Sequence, residues 1–355
     1  MITRLGICDH YGTDPYYNLA LEQYLTERVQ PGECILYLWQ NARTIVIGRN
    51  QNAWKECDVD ALRADGGKLA RRLSGGGAVF HDLGNLNFTF IMATEDFDVE
   101  RQLSVIIRAC ERFGIRAQMT GRNDLVVPDA DAGTGREAAG SKFSGNAFYH
   151  HRGKSYHHGT ILVDVDTGLM GRYLRPHPEK LRAKGVDSVR SRVVNLKNLN
   201  GELTIEAMRE AMKEAFLEVY AGIRTDNGQI DGWRSSEGAE FSALLEKYGS
   251  DEWNLGERKE YDVSHTERFD WGLVEMSLKV KEAEVFSADV FTDSMETKWT
   301  KVYEEVFEGA RFSAEGLTEA AKKAGGRVAT SEQKISADMS GMIGRLCAEC
   351  FSSKP

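Results

Sequence analysis

The stretch Arg71-Arg72-Leu73-Ser74-Gly75-Gly76-Gly77-Ala78-Val79-Phe80-His81-Asp82-Leu83-Gly84-Asn85 decides how the rest of the chain is read. Three successive glycines remove every Cβ from a turn, so the backbone can take positive φ, approach a ligand closely and turn its N–H groups toward an anion. Two arginines stand just before the turn, and the alternation after it, Leu86, Phe88 and Phe90 against Asn87 and Thr89, predicts a strand. Strand, glycine turn with flanking guanidinium groups and second strand make a cradle suited to a phosphate. No Gly-Lys-Ser/Thr follows at the spacing of a Walker-type loop, so the turn is not of that kind. A tight hairpin turn with surface arginines is the plain alternative at this point.

Toward the N-terminus, Asp14-Pro15 supplies a helix cap followed by proline at the first helical position, and Tyr17, Leu21, Tyr24 and Leu25 predict a helix to about Val29. The apolar runs Ile35 to Trp39 and Thr44 to Ile47, separated by Asn41-Ala42-Arg43, predict a hairpin of buried strands. A short helix is expected from Asp58 to Ala64. Beyond the glycine stretch, Leu103, Ile106, Ile107, Cys110 and Phe113 keep helical spacing, Leu125 to Val127 is a strand, and Pro128 to Gly140 reads as a loop of the kind that closes over a site. Ser141 to Phe148 and Lys154 to Asp164 alternate as strands, which places Lys142 at the exit of that loop. His150, His151, His157 and His158 crowd the two strands. Adjacent histidines on a strand point to opposite faces, so packing or hydrogen bonding is preferred to chelation of one ion.

Between Arg172 and Lys197 eight basic residues stand against Glu179 and Asp187, a local balance of +6 that suits an acidic partner. Thr204 caps a helix with Met208, Ala211, Met212, Ala215, Phe216 and Val219 on its core face. Glycine, asparagine and serine loosen the pattern from Gly222 to Gly256, where a domain boundary is expected. The domains are read as 1–250 and 257–355. The second reads as a small α+β unit with strands Phe269 to Val280 and Ala283 to Phe291 followed by two or three helices.

The composition, 355 residues with 28% charged and 41% hydrophobic, is that of a globular protein of about two domains. A net charge of −9 argues against a general nucleic-acid binder. Six scattered cysteines suit a reducing compartment; Cys347 and Cys350 read as free thiols on a C-terminal helix. With no apolar signal core and no run approaching the ~20 residues of a membrane span, a cytoplasmic protein is expected. A monomer is the expectation for its assembly, which the sequence itself does not fix.

Asn18-Leu19-Ala20, Gly48-Arg49-Asn50-Gln51-Asn52, Trp54-Lys55-Glu56-Cys57, Arg71 through Asn85, Gly121-Arg122-Asn123-Asp124-Leu125, Lys142-Phe143-Ser144-Gly145-Asn146-Ala147, His157-His158-Gly159-Thr160 and Lys184 through Arg192 together resemble the lipoate–protein ligases. Glu267 through Gly272 and Val290 through Ser294 resemble the C-terminal part of their two-domain members. The resemblance implies an α/β fold: a large mixed-sheet catalytic domain of the class II biotin/lipoate-ligase type, followed by the small α+β domain. It implies a two-step reaction in which ATP, with Mg2+, activates lipoate as lipoyl-AMP, and the acyl group passes to a lysine of lipoyl domains in oxoacid dehydrogenase acyltransferase subunits or of the glycine-cleavage H protein. By resemblance Lys142 is catalytic and contacts acyl carbonyl and phosphate. Arg72 and Gly77, Ala78, Val79 and Phe80 meet the nucleotide, and Gly75, Gly76 and His81 meet lipoate. Asn123, Asp124 and Ser74 are secondary candidates, with Asp124 as the magnesium ligand. Rival expectations are a lipoyl- or octanoyltransferase using a preformed acyl donor and a non-catalytic lipoate-binding module. No cysteine nucleophile falls in the motifs except Cys57, which the ligases share, and the Gly-Arg-Gly-Arg-type loop of biotin ligases is absent.

Overall fold

Asp14 accepts the N–H groups of Tyr16 and Tyr17, Pro15 fills the first helical position, and a helix follows over Pro15–Arg28. Capping of the same kind starts Ile205–Val219 at Thr204, as read from the sequence, and the structure adds side-chain caps at Asp58 for Val59–Ala64 and at Asp98 for Val99–Glu111. The computed structural model describes residues 1–120, 124–128, 140–175, 193–225, 238–256, 259–329 and 332–351. Asn123, the segment 129–139 and the basic run 176–192, with the motif Lys184 through Arg192, lie outside the described residues.

The chain divides into two compact units: Met1–Ile47, Ala53–Ser74 and Ala78–Leu255 form the first, and Gly48–Asn52, Gly75–Gly77 and Gly256–Pro355 the second. In the first unit the strands are β1 (Arg4–Asp9), β2 (Glu33–Trp39), β3 (Thr44–Ile47), β4 (Lys68–Arg71), β5 (Val79–His81), β6 (Asn85–Ala93), β7 (Gln118–Thr120), β8 (Asp124–Val127), β9 (Ser141–His151), β10 (Lys154–Leu162) and β11 (Arg224–Thr225). A mixed eight-stranded sheet runs β11-β1-β2-β6-β10-β9-β8-β7, and a separate three-stranded sheet runs β4-β3-β5. The expected hairpin of β2 and β3 is therefore corrected: the turn after Trp39 hands the chain to a second sheet, where β3 pairs with β4 and β5. Both strands are buried along their whole length, so their apolar runs fit either pairing and the turn alone does not choose.

Helices cover both faces of the large sheet. On one face Leu36, Phe88, Phe90 and Phe143 pack under the helices Val99–Glu111 and Ile205–Val219. On the other, Ile35, Tyr37, Trp39 and Tyr156 pack under Pro15–Arg28 and the helix Ala239–Gly249. The polar alternates of β6, Asn85, Asn87 and Thr89, point toward this second face and are buried as well.

In the second unit β12 (Val263–Phe269), β13 (Gly272–Lys281) and β14 (Glu284–Thr292) form an antiparallel sheet carrying the helices Lys298–Phe307, Ala314–Gly325 and Gln333–Phe351. A strand beginning at Phe269 is corrected here: Phe269 ends β12, and Asp270-Trp271 turns the chain into β13. Cys347 and Cys350 are free on the last helix. Among the described residues no helix is long and apolar enough to cross a membrane.

Candidate active site

Glu22 stands among apolar neighbours on the buried face of Pro15–Arg28, and its carboxylate reaches the sheet. It accepts the Thr89 hydroxyl at 2.7 Å and faces His158 Nδ1 at 2.8 Å. Because a carboxylate only accepts, the imidazole proton sits on Nδ1. His158 Nε2 lies 2.7 Å from Ser74 Oγ, which also receives Arg72 Nε at 3.0 Å. Trp39 Nε1 donates to Thr89 Oγ1 at 3.0 Å, so an unbroken polar chain runs from Trp39 through Thr89, Glu22, His158 and Ser74 to Arg72. All six side chains are buried. Such a chain holds its members rigidly, because each lost partner leaves a buried polar group unsatisfied.

Arg72 also donates to the Val46 carbonyl at 3.1 Å. Burial pulls its guanidinium down to about 10, while Tyr156 and Glu22 favour its charge, so it remains a fixed cation at neutral pH. His81 lies edge-on to Trp39 and takes the Asn41 amide on Nδ1 at 3.1 Å. Burial, with Arg72 and His158 beside it, pushes His81 down to about 3. Its buried Nε2 has no hydrogen-bond partner among the described residues, a donor available to a further group. His157 faces away from this chain, toward Gln102 and Asn146 at 2.9 and 3.0 Å, and His150 bonds Ser155. The paired histidines thus point to opposite faces, and both members of the inner pair serve hydrogen-bonding networks.

Lys142 reaches Asp124 across β9 and β8 at 2.6 Å, and both side chains are part-exposed. Val79 and Phe80 lie on β5, with the Phe80 ring in the core against Tyr173, so any ligand contact from Phe80 is through its backbone. Among the described residues, its two chain neighbours aside, nothing lies within 4 Å of the place a Gly77 Cβ would occupy. In the second unit Gly76 has φ +88° and donates its N–H to the Ser294 carbonyl at 3.2 Å, and a Cβ on Gly75 would fall 2.2 Å from the same oxygen. Of the three glycines only Gly76 uses positive φ; Gly75 is required by close approach.

Cys57 is buried, donates to the Ala53 carbonyl at 3.2 Å, and burial pushes its thiol up to about 12. A thiol held neutral in this way is no nucleophile. Of the basic run, Arg172, Arg175 and Lys197 pair with Asp65, Asp58 and Asp164, so the +6 counted along the chain is partly cancelled by acids from elsewhere. Among the described residues no three His, Cys, Asp or Glu side chains converge to hold a metal ion. Asp124 supplies one carboxylate, which fits a magnesium ion bound largely through nucleotide phosphates. The sequence reading missed Glu22, Trp39 and Thr89; the one signal was a carboxylate between the apolar positions Leu21 and Leu25.

The model of the lipoyl protein ligase A/B catalytic domain matches residues 14–217, and that of the bacterial lipoate protein ligase C-terminus matches 258–337. The lipoate-protein ligase A of Psychrobacter cryohalolentis is 39% identical over 298 residues, covering 82% of this chain and 84% of its own. The crystal structure of P. falciparum LipL1 in complex with lipoate is 25% identical, covers 96% of this chain and 99% of that one, and gives a TM-score of 0.79. A bipartite lipoate protein ligase and its E2 lipoyl domain from Thermoplasma acidophilum gives 27% identity, 74% and 100% coverage and a TM-score of 0.58. A lipoate-protein ligase A bound with ATP gives 25%, 72% and 99%, and 0.56. With a catalytic-domain match over more than half its length and a relative this similar across most of both chains, the protein belongs to the lipoate–protein ligase family.

Proposed function

We propose that the protein is an ATP-dependent lipoate–protein ligase acting in two steps at this site. A lipoate carboxylate oxygen attacks the α-phosphorus of ATP, the bond to the β-phosphate breaks, and lipoyl-AMP and pyrophosphate form. The amine of an acceptor lysine then attacks the acyl carbonyl, AMP leaves, and an amide and a proton result. The observation that carries this reading is a part-exposed cation, Lys142, on the same sheet face as the buried chain from Trp39 to Arg72. Bringing a carboxylate to a triphosphate joins two anions, and fixed positive charge with backbone donors is what stabilises the charge that develops.

In this proposal Lys142 contacts the acyl carbonyl and the phosphate, and its compact ammonium can follow oxygens as the ligand changes. Arg72 supplies a fixed charge to the nucleotide, which the backbone of Gly77, Ala78, Val79 and Phe80 also meets. Gly75, Gly76 and His81 face lipoate, with the unpartnered His81 Nε2 supporting a polar contact there. Asp124 would hold Mg2+, which screens the phosphates when bound. The acceptors are lipoyl domains of oxoacid dehydrogenase acyltransferase subunits and the glycine-cleavage H protein. Their target lysine, with an ordinary pKa of ~10.4, must lose a proton before attack. Transfer through a covalent cysteine is disfavoured by the buried, neutral Cys57.

The test is pyrophosphate release by the purified protein with ATP, dependent on added lipoate, followed by lipoylation of an apo lipoyl domain read by intact mass. Lipoylation from supplied lipoyl-AMP without any lipoate-dependent pyrophosphate would replace the ligase with a transferase. Neither activity would leave only a binding module.

A further inference from the structure

A regular β9 would send Lys142 the wrong way. Asn146 and Phe148 pair with Gly159 and His157 on the sheet face beneath Val99–Glu111, and strict alternation puts Ser144 and Lys142 on that face too. The register against β8 breaks this count. Leu125 pairs with Ser144 but Val126 pairs with Lys142, so Phe143 is an extra residue, a bulge. Phe143 turns into the core with Leu125 and Val127, and Lys142 emerges on the opposite face beside Gly145. Its backbone is pinned there, since the Lys142 carbonyl accepts the Val194 N–H at 2.9 Å.

Gly145 is the second half of the device. A Cβ at that position would lie 2.9 Å from Lys142 Nζ and 3.1 Å from its Cε, and among the described residues, its two chain neighbours aside, no other atom comes within 4 Å. The end of the lysine occupies the space that a side chain at 145 would take. Asp124, paired across the ladder with Gly145, holds the ammonium from the far side at 2.6 Å. The φ of Gly145 is not in the left-handed region, so the backbone does not demand glycine there. What demands it is the ammonium.

We propose that Gly145 is a positioning residue for the ligase reaction: its bare α-carbon, with the bulge at Phe143, seats the Lys142 ammonium where it meets the substrate oxygens. This rests on Lys142 as the catalytic cation. Because the obstructed atoms are the far end of a flexible side chain, Gly145→Ala shifts the lysine and not the fold.

The experiment uses the full chain and its Gly145→Ala, Lys142→Ala and double variants. Affinity for a lipoyl-sulfamoyl-adenosine analogue is measured by calorimetry, ATP–pyrophosphate exchange by kinetics, and stability by melting. Gly145→Ala is expected to melt within about 2 °C of the parent. It is expected to bind the analogue about 10-fold more weakly and exchange about 10- to 100-fold more slowly, the scale of a displacement near 1 Å at a reacting group. In the Lys142→Ala background the same change should alter affinity no further. Parental affinity and exchange in Gly145→Ala overturn the proposal. So does an equal loss with and without Lys142, or a large drop in melting temperature, since either makes Gly145 a packing residue. A fully active Lys142→Ala variant would instead remove the role of the lysine itself, a failure read from that single variant alone.

Discussion

Replacing Glu22 with Ala tests whether the buried polar chain holds the first unit together. The carboxylate is 2% exposed and satisfies the Thr89 hydroxyl at 2.7 Å and His158 Nδ1 at 2.8 Å. Without it both donors are stranded, each at about 1–3 kcal/mol. The Arg72 guanidinium, already pulled down by burial, also loses a charge that favours it. Breaking a buried charged arrangement by removing one partner costs about 3–5 kcal/mol. For a unit of this size each kcal/mol moves the melting temperature by about 2–4 °C, so a fall of roughly 6–20 °C is expected. Glu22→Gln, which keeps an acceptor and loses only the charge, should fall about half as far. The assay is calorimetric melting of the full chain, with the Glu22→Gln/His158→Gln double variant closing a cycle whose coupling should reach about 1 kcal/mol or more. A Glu22→Ala protein melting within about 2 °C of the parent would refute the network as a source of stability.

Acid should destabilise the protein in a defined window. His81 and His157 are pushed from 6.5 to about 3, by burial first, with His158 adding to both and Arg72 to His81. The unfolded chain therefore binds protons the folded one refuses. Stability from these groups is full above pH 6.5 and is lost as the pH falls toward 3. His157→Gln should flatten the fall measured in urea by up to about 1.4 kcal/mol per pH unit, and an unchanged slope refutes the assignment. Gly77→Ala meets no described residue, so its melting should be unaltered while its KM for ATP rises; an unaltered KM takes Gly77 out of the nucleotide site. Cys57→Ala should retain lipoate-dependent lipoylation of an acceptor domain, and complete loss with an intact fold would revive a covalent route.

Two helix starts were legible because their signals are local: Asp14 with Pro15, and Thr204, each act on N–H groups within one turn. The partner of β2 was not, because a polar turn after Trp39 fits a hairpin and a change of sheet equally well. The triple glycine announced a close approach. What approaches it, the Ser294 carbonyl, lies more than two hundred positions away in the sequence. Lys142 could be singled out by its motif, yet its facing depends on one extra residue in a ladder, which counting along β9 alone gets backwards. Glu22 and His158 belong to a network that exists only once a helix lies on the sheet.

The second unit is assembled from three separated stretches, and two of them leave the ribosome early. Asn50 and Gly76 bond to Thr292 and Ser294, which are made some 220 to 240 residues later. At synthesis rates of about 5–20 residues per second the early pieces wait roughly 10–50 s for their mates. Gly48-Arg49-Asn50-Gln51-Asn52 and Gly75-Gly76-Gly77 contain no apolar side chain, so these two waiting segments themselves offer chaperones and neighbours little to seize during that interval.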